Sequence, residues 1–265
     1  MKKIAFIGCG NMGGAIVRAV CARVDSKSVY LSNRTRSKAV SLAESCGCNV
    51  CENNREAAKD ADFIFLGVKP WQITDVIREI DEVLKGNEVI VSMAAGVPGN
   101  VMAELLAEKG NPVIRIMPNT PCAIGEGLVV ISPYEGVSEE TVGELEEILA
   151  GCGMMGRCSE ELAEAAMTVG GCTPAFTYMF IEALADGGVR SGIKRSDAML
   201  WAAQAVMGAA KLVIESGEHP GALKDAVCSP KGATIEGIRT LEMNAFRGGV
   251  MDAITVAAKR SAGLG

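Results

Sequence analysis

Histidine is almost absent from this 265-residue chain, where His219 stands alone. One imidazole cannot assemble the usual zinc or iron ligand sets, and no C-x-x-C pair replaces it, so no metal is expected. Nor is there a Ser-His-Asp arrangement for nucleophilic catalysis. Cationic clusters are scarce too. The longest occupies residues 34–38, and 26 basic against 32 acidic residues leave a net charge of −6, which argues against nucleic acid as a partner. No apolar run approaches the ~20 residues that cross a bilayer, so no membrane is expected. Cysteine breaks the pattern of scarcity, with ten residues. Their spacings match no disulfide framework and no secretory segment is read before them, so reduced thiols and a cytoplasmic protein are expected.

Apolar residues are plentiful, at 49% against 22% charged, enough for one large or two modest cores. To about residue 158, short β-like runs alternate with helical stretches: KIAFIG, SVYLSN, DFIFLG, EVIVSM, PVIRIM, GLVVIS and MMGRCS. Such alternation signals βαβ units and an α/β fold with a largely parallel, doubly wound, Rossmann-like sheet. Beyond it the strands cease and helical runs rich in Ala, Met and Leu follow. One starts at Thr173-Pro174 and is expected to stop at Gly187-Gly188; the others occupy 196–217, a short run after His219-Pro220, 233–243 and 246–259. Two domains are therefore expected, 1–158 and 159–265, the second all-α. Its runs 174–186 and 197–215 are apolar nearly all round, which calls for packing between subunits in a homodimer or an oligomer of dimers.

The first strand runs straight into Gly8-Cys9-Gly10-Asn11-Met12-Gly13, then a helical run to residue 23 and the strand SVYLSN. That is the setting of a dinucleotide fingerprint. Gly8 permits the tight turn, Gly10 lets the backbone approach a pyrophosphate, Gly13 lets helix and strand pack closely, and the helix N-terminus favours the anion. A tight structural turn is the competing use of these glycines, and the βαβ context favours the phosphate cradle. The second strand ends at Ser32-Asn33-Arg34, where an NAD site carries an acid for the ribose 2′-hydroxyl. With no such carboxylate, and with the planar donor fork of Arg34, NADPH is the expected cofactor and NADH the alternative. Arg36 and Lys38 read as a solvated helix start. Three more strand-end loops are expected in the same crevice: Val68-Lys69-Pro70, Ala94-Ala95-Gly96 with room for a nicotinamide, and the proline-stiffened Met117-Pro118-Asn119-Thr120-Pro121.

Taken together, these motifs resemble those of the pyrroline-5-carboxylate reductase family. IGCGNMG, SNRT, VKP, SMAAGV and RIMPNTP contribute, and DAVCSPKGATIEGIRTLE at 225–242 carries most of a likeness that extends over essentially the full chain. The resemblance implies a Rossmann domain followed by a helical domain that interleaves with a second subunit. It also implies NADPH-dependent reduction of 1-pyrroline-5-carboxylate to L-proline. Two positions depart from the family's pattern. Gly171-Cys172-Thr173-Pro174 stands where a Ser-Gly-Pro turn is common, and Lys231 where a second glycine is frequent.

Reducing a cyclic imine takes a hydride donor, a proton on nitrogen and a partner for the substrate carboxylate. The segment Ser229-Pro-Lys-Gly-Ala-Thr234 reads as a helix start whose free N–H groups receive that carboxylate, with Ser229, Gly232 and Ala233 as substrate contacts. Thr234 is the catalytic candidate, its hydroxyl meeting the ring nitrogen. Simple helix capping by Ser229 is the competing use. Met117 and Asn119 are expected to touch substrate from the Rossmann side. His219, in an interhelical loop, reads as a surface or capping residue, and Glu182 with Asp186 as the wetter stripe of a helix. Rival readings are a β-hydroxyacid- or ketopantoate-type reductase, for whose lysine base Lys194, Lys211 and Lys224 lie in no matching motif, and an NADPH-sensing regulator without turnover. Oxidation of NADPH on adding pyrroline-5-carboxylate separates the three. Sedimentation of the dilute protein is expected to show a dimer or larger assembly; a stable, fully active monomer would contradict the reading of the apolar helices.

Overall fold

The computed structural model describes residues 2–261 and 263. Two compact units are present, the first formed by the chain up to Pro174 together with its final stretch from Ala257, the second by Ala175–Val256. The first unit is built on eight strands: β1 (Ile4–Ile7), β2 (Val29–Ser32), β3 (Asn49–Val50), β4 (Phe63–Leu66), β5 (Val89–Ser92), β6 (Val113–Pro118), β7 (Gly127–Pro133) and β8 (Gly153–Arg157). They form one sheet in the order β3-β2-β1-β4-β5-β6-β7-β8, parallel throughout except between β6 and β7. The seven runs expected from sequence are all strands. β3 is an addition, two residues long and too short to show a period. Around the sheet lie α1 (Asn11–Cys21), α2 (Arg36–Cys46), α3 (Asn54–Ala58), α4 (Ile73–Asp81), α5 (Gly99–Leu105), α6 (Glu139–Leu149) and α7 (Ala163–Met167). The last strand ends beside the expected boundary at 158, yet the packing of the first unit continues through α7 and a π-helical turn, Thr168–Cys172.

Strands buried on both faces are apolar almost throughout, and their alternate residues feed two separate cores. Ile4, Phe6, Phe63 and Phe65 point into one with Ile16 and Val20 of α1; Ala5, Ile7, Ile64 and Leu66 point into the other with Ile77 and Ile80 of α4. The Phe6 and Phe65 rings stack at 4.5 Å between the paired strands β1 and β4. Strand order reverses at this pair, so the crevice beyond their carboxyl ends is where a doubly wound sheet binds ligands.

The second unit is helical: most of α8 (Thr173–Arg190), then α9 (Arg195–Ser216), α10 (Pro220–Ala226), α11 (Ala233–Met243) and most of α12 (Phe246–Ser261). Gly187-Gly188 does not end α8 as expected. A Cβ on Gly188 would stand 3.2 Å from Ala198 Cβ, so this glycine serves the close approach of α9 instead. The expectation that no run approaches bilayer-crossing length needs correction. With 22 residues, 18 of which average a hydropathy of 1.3, α9 is long and apolar enough to cross a bilayer by length and composition alone. Only 11% of that stretch is buried within the chain, and Trp201, Met207 and Ile214 stand exposed. At the far end of α12 the chain returns to the first unit. There the Ser261 hydroxyl donates to Glu164, which is also paired at 2.6 Å with buried Arg115 of β6.

At the start of β5, Glu88 is buried with no salt bridge among the described residues. Its carboxylate accepts N–H donation from Lys85 (2.9 Å), Gly86 (3.0 Å) and Asn111 Nδ2 (3.0 Å). Burial pushes the carboxyl up, the hydrogen bonds outweigh it, and the group titrates below the ordinary carboxylate range. A depressed pKa in the folded state contributes stability above the unfolded-state value, and that contribution is lost as pH falls through the folded one. Glu88→Gln is therefore expected to cost about 1.5–3 kcal/mol at neutral pH. Denaturant unfolding at stepped pH should show the difference from wild type shrinking in acid; a pH-independent difference would contradict the assignment.

Candidate active site

At the carboxyl ends of β1, β2 and β4 the first unit opens a cleft of about 970 Å³. The fingerprint from Gly8 to Gly13, apart from Cys9, lines it with Ser32, Asn33 and Arg34, Val68-Lys69-Pro70 and Ala94-Ala95. Gly96 does not. It turns away with φ 69°, and a Cβ there would sit 3.1 Å from the Ser261 carbonyl oxygen.

The cradle is shaped by backbone contact. Gly8 has φ 98°, and a Cβ on it would lie 2.5 Å from the Gly67 carbonyl oxygen; one on Gly13 would lie 2.2 Å from the Gly8 carbonyl oxygen. A Cβ on Gly10 would meet nothing within 4 Å. Two glycines are thus required by the fold, while the third keeps open the approach to the start of α1. Gly10 caps that helix without any side-chain hydrogen bond, and no acid occupies the first turn, so its N–H groups are available to a pyrophosphate. Beneath lies Cys9, whose thiol burial pushes up to about 12; it stays neutral and adds no negative charge beside the anion. These features fit a dinucleotide.

Asn33 braces the site. Its Oδ1 accepts the Cys9 N–H at 2.9 Å and its Nδ2 donates to the Thr35 carbonyl at 2.9 Å, tying the end of β2 to the fingerprint loop. Arg34 beside it is exposed and makes no hydrogen bond or ion pair among the described residues. Arg36 and Lys38, expected only as a solvated helix start, line the cleft as well. So does Asn54, linked at 2.7 Å both to the Ser32 hydroxyl and to Glu79. Sequence gave no notice of Asn54, which follows the two-residue strand.

The Met117–Pro121 loop contributes Thr120 to the cleft. Met117 is buried against Val130 and Ala163 instead. The Asn119 amide, expected on substrate, is engaged inside the protein. Its Nδ2 donates to the Gly170 carbonyl of the π-helical turn at 3.0 Å, and its Oδ1 accepts the Leu128 N–H at 2.9 Å. A π turn leaves carbonyls without their usual helical donors, and Asn119 satisfies one of them.

In the second unit α11 starts at Ala233, with Gly232 as an extended cap and no side-chain hydrogen bond. Ser229 does not cap the helix; its carbonyl accepts the Gly232 N–H at 3.0 Å. A Cβ on Gly232 would lie 2.4 Å from Ser229 Oγ, which a change of serine rotamer relieves, and 3.0 Å from the Ser229 carbonyl oxygen, a tight fit. Ala233 and Thr234 are exposed, and the Thr234 hydroxyl has no partner among the described residues. Lys231 holds φ 61°, in the left-handed region that favours glycine. His219 caps α10, its Nδ1 accepting the Gly221 N–H at 3.0 Å. Asp186 pairs with Arg195.

Residues 160–264 match the model for pyrroline-5-carboxylate reductase dimerisation, and residues 3–96 that for NADP oxidoreductase, coenzyme F420-dependent. The pyrroline-5-carboxylate reductase of Escherichia coli is 41% identical over 262 residues, 98% of this chain and 97% of that one. This chain belongs to the pyrroline-5-carboxylate reductase family. Among solved structures, the reductase from Coxiella burnetii superposes with a TM-score of 0.91 at 31% identity, over 99% of this chain and 98% of that one. The Plasmodium falciparum enzyme with NADP bound gives 0.87 at 28% identity, over 100% and 98%. A dimerisation domain accounts for the exposed apolar faces of α8 and α9.

Arg34→Ala is expected to weaken NADPH by about tenfold to a hundredfold, the equivalent of one charge-assisted contact, and to leave NADH nearly unchanged. Steady-state KM values for both cofactors check it. Equal losses would assign Arg34 to the fold.

Proposed function

We propose that this enzyme reduces 1-pyrroline-5-carboxylate to L-proline with NADPH, acting in the cytoplasm as a homodimer or an assembly of dimers. The uncapped start of α11, followed by an unpartnered hydroxyl at Thr234, carries the assignment of the substrate end. Ten free cysteines support a reducing compartment.

NADPH supplies the hydride for the imine carbon. The chain's own residues bind, orient and protonate. The N–H groups of α1 hold the pyrophosphate and Arg34 takes the 2′-phosphate. Ala94 and Ala95, with no side chain beyond a methyl, leave space for the nicotinamide. The amides around Gly232 and Ala233 receive the substrate carboxylate, which fixes the ring and leaves the Thr234 hydroxyl to meet its nitrogen. A lysine base of the hydroxyacid-reductase kind has no counterpart. Lys211 pairs with Glu215 at 3.5 Å, Lys224 pairs with Asp225, and Lys194 is the residue that precedes α9.

Thr234→Ala is expected to impair reduction while leaving NADPH binding intact. A positioned proton donor contributes about 10²–10⁴-fold, and the loss should fall at the lower end because an imine that arrives protonated needs no donor. The penalty should therefore grow as pH rises and less substrate arrives as the iminium. Measuring kcat/KM from slightly acidic to alkaline pH tests this: unchanged rates at every pH remove Thr234 from the site, and a large but pH-independent loss leaves it a positioning residue only.

A further inference from the structure

Arg115 of β6 is buried and takes no part in the chemistry assigned above, yet its guanidinium grips two carboxylates. Nη1 donates to Glu160 at 2.8 Å and Nη2 to Glu164 at 2.6 Å. The two acids flank the start of α7 four residues apart, where like charges repel each other. The arginine fork between them offsets that repulsion and fixes both in place. Each carboxylate then reaches a further element. Glu160 accepts the Gly99 N–H at 2.8 Å and the Ser132 hydroxyl at 3.2 Å, and Glu164 accepts the Ser261 hydroxyl at the end of α12.

Both arms lead to one loop. Gly99 opens α5, whose cap, Pro98, makes no side-chain hydrogen bond, so the Glu160 carboxylate supplies an acceptor and a negative charge at the helix start. Ser261 brings a carbonyl oxygen that would stand 3.1 Å from a Cβ on Gly96. Residues 96–99 are therefore seated at one end against α12 and tied at the other to Glu160. Immediately before them Ala94 and Ala95 line the cofactor cleft. Alanine and glycine carry no polar side chain with which to anchor such a loop, so its position is set by whatever holds its flanks.

We propose that Arg115, Glu160 and Ser261 are positioning residues for hydride transfer, acting through residues 96–99 to set how the Ala94-Ala95 loop seats the nicotinamide ring. The inference rests on the nicotinamide lying against Ala94 and Ala95, as proposed above. Hydride transfer depends steeply on the placement of donor and acceptor, and a misplacement of about 1 Å costs up to about a hundredfold. Affinity for NADPH is supplied mainly by the phosphates, which are assigned to α1 and Arg34. Slack in this loop should therefore slow the chemical step and leave binding of the cofactor unchanged.

The test mixes the full-length enzyme, preloaded with NADPH, with saturating 1-pyrroline-5-carboxylate and follows a single turnover by stopped flow. The rate constant reports hydride transfer, the amplitude reports the fraction of active enzyme, and fluorescence titration gives the Kd for NADPH. Glu160→Gln is expected to lower the rate constant about tenfold or more with amplitude and Kd near wild type. Ser261→Ala should show a smaller loss of the same kind, and Ser261→Thr, which keeps the hydroxyl, should restore the rate. Circular dichroism checks folding; where Glu160→Gln fails it, the pair of Ser261 variants decides. A reduced amplitude with an unchanged rate constant in folded variants would mean a merely structural role and overturns the proposal. Ala95→Leu intrudes on the loop directly. Wild-type kinetics in that variant overturn the nicotinamide placement and the proposal with it, whereas an impaired Ala95→Leu beside unchanged Glu160→Gln and Ser261→Ala overturns the proposal alone.

Discussion

Three backbones meet at the end of β1 with no room for a side chain, and the rest of the site depends on that contact. Gly8, Gly13 and Gly67 crowd one another so closely that a Cβ on any of them would fall within 2.5 Å of a carbonyl oxygen. The contact seats the first turn of α1 directly over the β1–β4 pair, where strand order reverses. Two residues before Gly8 and Gly67, the stacked rings of Phe6 and Phe65 hold the same two strands from the core side. Close packing transmits displacement, so a methyl group at Gly13 would move the helix start and with it the amides proposed to hold the pyrophosphate. The phosphate cradle is therefore a by-product of packing as much as a binding motif.

Much of this was legible because it rests on signals of short range. Strands buried on both faces read as unbroken apolar runs, and the fingerprint glycines follow one of them in order. Signals of long range were not legible. Asn119 looks like a substrate contact in a proline-stiffened loop, and only the folded chain brings the Gly170 carbonyl and the Leu128 N–H to its amide. Gly187-Gly188 has the form of a helix stop, but its purpose is the approach of a helix that begins several residues later. Gly96 reads as part of a nicotinamide loop and instead meets a carbonyl from the last helix. A residue's chemistry is local, whereas its partner is chosen by topology.

The two units meet the demand for burial differently. In the first, alternation along the central strands fills a core on both faces of the sheet, and large exposed apolar residues such as Trp71 and Met154 are scattered singly. Helices of the second are apolar over more surface than one chain can cover. Leu200 is 68% exposed and Val256 66%. For a family with a dimerisation domain, that surface is an interface awaiting its second copy. Lys231 adds a local tension of its own. A lysine in left-handed backbone costs roughly 1–3 kcal/mol, and it stands immediately before the cap of the helix assigned to the substrate carboxylate.

The return of the chain from the second unit to the first has a consequence for biosynthesis. The contact between Ser261 and Glu164, and the seat of Gly96 against the Ser261 carbonyl, depend on a residue translated after the helical unit. A growing polypeptide ordinarily folds from its leading end, one domain at a time. Here the first unit has its sheet early but lacks the packing contributed from Ala257 onward until the helical unit has been translated. The helical unit is in effect an insertion, and completion of the first unit waits for its synthesis.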